Sequence, residues 1–174
     1  APQGAFFHAG RFCSAPWFGP GPRWYNPLAK ASPAAMPGEE PCSSFPNPSL
    51  VFDKIAEYDS IAIFGHVTPD VGAYGSAMGL KLAIDFLYPG KKTYAVVDPV
   101  WGVPDTLPRA TKPGKLPLET IAKSLVITVD TPTVERLGDP RAVQGKYVIK
   151  IDHHPLVEHF GDVEFVDETK CANA

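Results

Sequence analysis

Cysteine is scarce in this sequence, three residues in 174, and Cys13, Cys42 and Cys171 lie far from the close spacing of a thiolate metal site or a disulfide framework. A reducing compartment, the cytoplasm, is therefore expected. Long apolar runs are missing too: none approaches the ~20 residues that cross a bilayer. The first residues show no basic-then-apolar signal pattern, so no membrane association is expected. Nor is there an excess of basic charge. With 16 Lys and Arg against 19 Asp and Glu, the formal net charge is −3. That excludes a broad electrostatic grip on duplex nucleic acid and leaves room for a small phosphorylated substrate.

Proline is plentiful but uneven, with half of the twenty residues falling before position 50. Residues 1–49 interleave Pro, Gly and Ala with Phe6, Phe7, Phe12, Trp17, Phe18, Trp24 and Tyr25, in neither a helical nor an alternating period. This segment reads as an irregular Pro- and aromatic-rich extension, although a disordered tail normally carries fewer aromatics. Residues 50–174 read as one globular domain, long enough to bury a core.

Within that domain, short apolar runs alternate with helical patterns. Val51 to Tyr58 predicts a helix with Phe52, Ile55 and Ala56 inward, and Ile61 to Phe64 a buried strand. Ala73 to Leu87 predicts a helix packed on a sheet, ended by Pro89-Gly90, and Thr93 to Val97 a second strand. Asp98 to Pro117 is Pro- and Gly-rich and irregular. A short helix over Leu118 to Lys123 leads to a strand over Leu125 to Val129. Tyr147 to Ile151 and Val163 to Val166 complete the set. Strands alternating with helices imply parallel crossovers, hence an α/β fold with a doubly wound, mostly parallel β-sheet and flanking helices.

The chemistry gathers at the strand ends. His66 and Asp70 follow the first strand, Asp130 ends the third, and Asp152, His153 and His154 end the fourth. Open parallel sheets bind ligands outside the carboxyl ends of their strands. Taken alone, Asp130 reads better as a turn cap and the two histidines equally well as a polar turn. Three strands of one sheet ending this way favour a metal site. A mixed His and carboxylate set without thiolates suits Mn²⁺, Mg²⁺ or another borderline cation better than a structural zinc cage. Such sites often hold two ions ~3.5–4 Å apart that share a carboxylate and act on phosphorus. His154 and Arg136 are the cationic candidates for the charge on the phosphoryl oxygens. Gly72, Gly75 and Gly79 are not spaced as a dinucleotide fingerprint.

These residues resemble the DHH phosphoesterase superfamily, named for the triplet that stands here as Asp152-His153-His154. Gly65 to Ser76, G-H-V-T-P-D-V-G-A-Y-G-S, resembles the family's first motif, G-H-x-x-P-D-G-D-A-x-G-S. Val129-Asp130-Thr131 resembles the second motif, and Phe165-Val166-Asp167 the segment after the triplet. The resemblance covers roughly residues 50 to 174 and points to the nanoRNase and pAp phosphatase branch. Those enzymes are manganese-dependent and hydrolyse very short oligoribonucleotides and 3′-phosphoadenosine 5′-phosphate. It implies that His66 and Asp70 hold a first ion, Asp130 bridges both ions and His153 holds the second. By the same resemblance His154 contacts the scissile phosphate and Asp152 orients the pair. The partner implied is a short oligonucleotide or nucleotide, with a homodimer as one oligomeric option.

Two departures bear on activity. Val71-Gly72 stands where the family has Gly-Asp, and the sequence stops at Ala174, before the family's fourth-motif aspartate and its carboxy-terminal substrate domain. One strong ion site and one weak one are therefore expected. The alternative is a catalytically inactive DHH-fold binding or structural module.

Overall fold

The computed structural model describes residues 46–103 and 108–172. The Pro-rich extension expected over 1–49 thus lies outside the described residues up to position 45. In chain order come α1 (Ser49–Glu57), β1 (Ser60–Phe64), α2 (Val71–Leu87), β2 (Lys92–Val96), α3 (Leu118–Ile121), β3 (Leu125–Val129), β4 (Tyr147–Asp152) and β5 (Val163–Val166). Two 3₁₀ turns, Val134–Arg136 and Pro140–Gln144, occupy the stretch between β3 and β4.

All five strands pair in parallel, in the order β2-β1-β3-β4-β5. The chain steps outward from β1 to β2, then returns across β1 to β3 and continues the other way. The winding therefore reverses between β1 and β3, and the crevice outside their carboxyl ends is where such a sheet takes its ligands. β3 is the central strand, and every one of its residues is buried. A strand covered on both faces must be apolar throughout, which is why Leu125-Val126-Ile127-Thr128-Val129 shows no alternation.

The two faces build two cores. Ile61, Ile63, Leu125, Ile127 and Ile149 meet Ile55 of α1 and Tyr74, Ala77, Met78 and Ile84 of α2. Ala62, Phe64, Val126 and Val148 point the other way, onto Leu116, Ile121, Leu137 and Ala142. Each fully buried side chain of this size contributes about 1.5–3 kcal/mol relative to an exposed one. Truncating Ile127, with no exposed surface, to alanine is worth about 2–5 kcal/mol.

Several boundaries differ from those the sequence predicts. Helix α1 buries Ile55 but leaves Phe52 and Ala56 exposed. It is only nine residues long and touches the sheet along the single line Val51, Ile55 and Tyr58. Helix α2 begins at Val71, two residues early, because Asp70 caps it: the carboxylate Oδ1 accepts from the Ala73 N–H at 2.8 Å. Helix α3 stops at Ile121 rather than Lys123, and β4 runs on to include Asp152. Within the irregular Asp98–Pro117 stretch, Thr111 pairs with the outer edge of β2 through two main-chain hydrogen bonds, at 3.0 Å to the Val97 N–H and 2.7 Å to the Ala95 carbonyl. Among the described residues no helix is long and apolar enough to cross a membrane.

Candidate metal centre

The carboxyl edge of the sheet brings together six of the seven side chains singled out above. His66 and Asp70 arrive from the β1–α2 loop, Asp130 from the end of β3, and Asp152, His153 and His154 from the end of β4. Two groups of metal-competent atoms form, His66–Asp70–Asp130 and Asp130–His153–His154, each with its atoms within 4.8 Å of one another. Asp130 belongs to both. It adopts a left-handed backbone conformation, φ 58°, which an aspartate tolerates better than most residues but which still marks strain kept by its surroundings. Its N–H donates to the Ile151 carbonyl at 3.0 Å, so the β3–β4 ladder is carried one residue past the strand and anchors the turn.

The histidine tautomers follow from acceptor-only partners. His66 Nδ1 lies 2.8 Å from the Val67 carbonyl, His153 Nδ1 3.2 Å from the Lys170 carbonyl, and His154 Nδ1 2.8 Å from Asp152 Oδ1. A carbonyl or carboxylate oxygen only accepts, so each Nδ1 carries the proton and donates it. With Nδ1 so engaged, Nε2 is the ring atom each histidine has left for a metal or a substrate.

His153 Nε2 faces Asp130 Oδ1 at 3.0 Å. That oxygen is buried and accepts no hydrogen bond among the described residues. Two lone pairs pointed at each other across this gap repel unless a cation or a proton joins them. Adjacent ligands of an octahedral ion at about 2.1 Å are about 3.0 Å apart, so the donor set fits a divalent ion. His154 stands differently. Its Nδ1 is 3.7 Å from Asp130 Oδ1 but is committed to Asp152, and its side chain is 40% exposed. Its free nitrogen is placed to meet something arriving from solvent.

Asp152 is the buried fixture behind the pair. Its Oδ1 accepts from the His153 N–H at 2.9 Å, the His154 N–H at 3.3 Å and the His154 ring. Asp70 is exposed, and hydrogen bonding, first from the Ala73 N–H, holds its carboxyl below the usual aspartate range, helped by the nearby His66 and His153. With Oδ1 engaged in the cap, its other oxygen is the one left for an ion.

Position 72 offers no ligand atom. Gly72 is exposed in the first turn of α2, and a Cβ there would lie 3.1 Å from Asp70 Oδ1. A side chain would fit only if Asp70 moved by a few tenths of an ångström. The seventh residue, Arg136, is exposed on the first 3₁₀ turn; its carbonyl accepts from the Val67 N–H at 2.8 Å, tying this turn beside the His66 loop. Gly138 tightens the same joint. Its N–H donates to the Gly65 carbonyl at 3.0 Å, and a Cβ there would meet that oxygen at 3.3 Å.

Lys150 and Glu158 went unremarked in the sequence. Lys150 is fully buried inside β4, and Glu158 accepts from the Val134 N–H at 2.8 Å through its carboxylate. The signal for Lys150 was present, a lone charge inside the apolar run Val148-Ile149-Lys150-Ile151. Nothing local marked Glu158.

Residues 60–173 match the DHH family, N-terminal domain. The chain is similar to a probable bifunctional oligoribonuclease and PAP phosphatase NrnA of Streptococcus mutans, 38% identical over 124 residues, covering 71% of this chain and 38% of that protein. It is likewise similar to the bifunctional oligoribonuclease and PAP phosphatase NrnA of Bacillus subtilis, 39% identical over 114 residues, covering 65% of this chain and 35% of that protein. The chain thus spans 35–38% of the length of these two curated relatives. In fold it is similar to the crystal structure of an exopolyphosphatase-related protein from Bacteroides fragilis, with a TM-score of 0.61 at 20% identity, covering 72% of this chain and 39% of that one. A match running through all three strand-end motifs, from residue 60 to residue 173, makes this chain a member of the DHH family, carrying its N-terminal domain.

Proposed function

We propose that this chain is the metal-binding domain of a phosphoesterase that hydrolyses phosphate esters of short oligoribonucleotides or of 3′-phosphoadenosine 5′-phosphate, with Mn²⁺ as its ion and Mg²⁺ as the substitute. One observation carries the reading: Asp130, with a buried carboxylate oxygen that has no hydrogen-bond donor, belongs to both metal-competent groups at the sheet's switch point. The names of the two NrnA relatives support the substrate class.

When bound, the ions supply charge for the phosphoryl oxygens and a water that ionises near neutral pH. His66 and Asp70 would hold one ion together with Asp130, which both groups share, and His153 would offer Nε2 to the other. Asp152 fixes His154 so that its Nε2 faces the incoming phosphate. Arg136, exposed on the turn whose main chain abuts the His66 loop, would supply a further permanent positive charge for the phosphoryl oxygens. With glycine at position 72, a second ion would find fewer protein ligands and would bind more weakly. The cytoplasm is the compartment proposed, and a homodimer the assembly.

The test is release of phosphate from 3′-phosphoadenosine 5′-phosphate, and of mononucleotide from a dinucleotide, by the 174-residue chain with Mn²⁺, against Asp130→Asn. Turnover that needs the metal and is lost in the variant is the result expected. Turnover equal in the two proteins would overturn the assignment.

A further inference from the structure

Lys150 has no exposed surface. An ammonium out of water is costly unless it is paired or fully hydrogen-bonded, and Lys150 forms no ion pair among the described residues. Instead its Nζ donates to two main-chain carbonyls, Pro132 at 3.0 Å and Glu158 at 2.9 Å, with the Phe160 ring centre 4.8 Å away. Pro132 lies two residues past Asp130, and Glu158 four past His154. One side chain thus grips the loop leaving the shared carboxylate and the loop leaving the two histidines. The Glu158 carboxylate closes the joint again by accepting from the Val134 N–H. The His66–Asp70 side has a support of its own in the α2 cap, and Val67 and Gly65 tie its loop to residues 136 and 138, just past Val134. A methionine in place of Lys150 would pack as well and avoid the desolvation, so packing does not account for a charge here.

We propose that Lys150 is a positioning residue for the Asp130–His153–His154 group, setting the separation of the carboxylate from the two imidazoles by holding Pro132 and Glu158 together. The inference rests on the metal reading for its purpose but not for its detection, because the ring nitrogens report position without any ion. The experiment is long-range ¹H–¹⁵N correlation of the histidine rings in the metal-free 174-residue chain and in Lys150→Met, followed by Mn²⁺ titration of both. In the variant, His153 and His154 are expected to lose their fixed Nδ1–H tautomers while His66 keeps its own. Mn²⁺ affinity of their group should fall ~10–100-fold, the usual cost of losing an orienting partner. Lys150→Arg, which restores donors, should return part of the fixed-tautomer signal.

Should Lys150→Met not fold, Glu158→Ala opens the other half of the joint at a partly exposed residue and should loosen the same two rings. Unchanged rings in the folded variant would overturn the proposal, as would His66 shifting equally with the other two. Should the wild-type chain bind no Mn²⁺ while Lys150→Met still shows the selective ring changes, the metal reading is defeated and the positioning role stands.

Discussion

His153 Nε2 and Asp130 Oδ1 face each other at 3.0 Å, while Nδ1 of the same ring meets the Lys170 carbonyl at 3.2 Å. Asp130→Asn replaces the shared charge with an amide. It is expected to weaken both ions, each by at least the ~10–100-fold that loss of a supporting partner costs. His153→Gln should weaken one ion only. Calorimetric Mn²⁺ titration of the two variants separates these outcomes; equal effects from both would contradict a shared Asp130.

Asp152 belongs to neither metal-competent group among the described residues, and its effect is expected to run through His154. Asp152→Asn keeps an oxygen for the three donors that meet Oδ1 but removes the charge that favours the Nδ1–H tautomer of His154. Turnover should fall ~10–100-fold with stability within about 1 kcal/mol of wild type. Asp152→Ala strands those donors and should cost on the order of 2 kcal/mol as well. Chemical denaturation beside the activity assay distinguishes the two variants.

Gly72→Asp restores the carboxylate that the family motif has at this position. Improved binding of the second Mn²⁺ ion is expected, by roughly tenfold or more. The gain should come with a small adjustment of Asp70, since the new Cβ meets its Oδ1 at 3.1 Å. A calorimetric isotherm identical to wild type would show that the second ion does not draw on this position.

Acid stability draws in part on Asp139 and Asp70, two of the carboxyls held below the usual range. Asp139 is buried and owes this first to the Arg141 side chain, then to N–H donors from Gly114 and Arg141; Asp70 owes it first to the Ala73 N–H. A lowered folded pKa stabilises above the unfolded value of ~3.9 and is lost as pH falls through the folded value. Stability should therefore hold above about pH 4 from these groups and fall below it. Asp139→Asn should flatten part of that acid limb and cost on the order of 2 kcal/mol at neutral pH. Urea midpoints measured from pH 2.5 to 7 check both.

Much of this architecture was legible because the relevant signals are local. The β-branched runs ending at Val129 and Val166 mark the ends of β3 and β5, and the parallel sheet follows from strands alternating with helices. The early start of α2 was missed because Asp70 looks like a ligand in the sequence and is a helix cap as well in the structure. Phe52 was misplaced because the apolar periodicity of a nine-residue helix does not say how much of its circumference the sheet covers. Lys150 and Glu158 stayed hidden for another reason: their partners are main-chain groups of other loops, at Pro132 and Val134, and no residue pattern encodes a carbonyl's position.

The most direct test is anomalous diffraction at the manganese edge from crystals of the 174-residue chain grown with excess Mn²⁺. A strong peak within ligand distance of His66, Asp70 and Asp130, with a weaker one between Asp130 and His153, is the predicted result. Saturating Mn²⁺ with no peak beside Asp130, or with ions bound only elsewhere, would contradict the account.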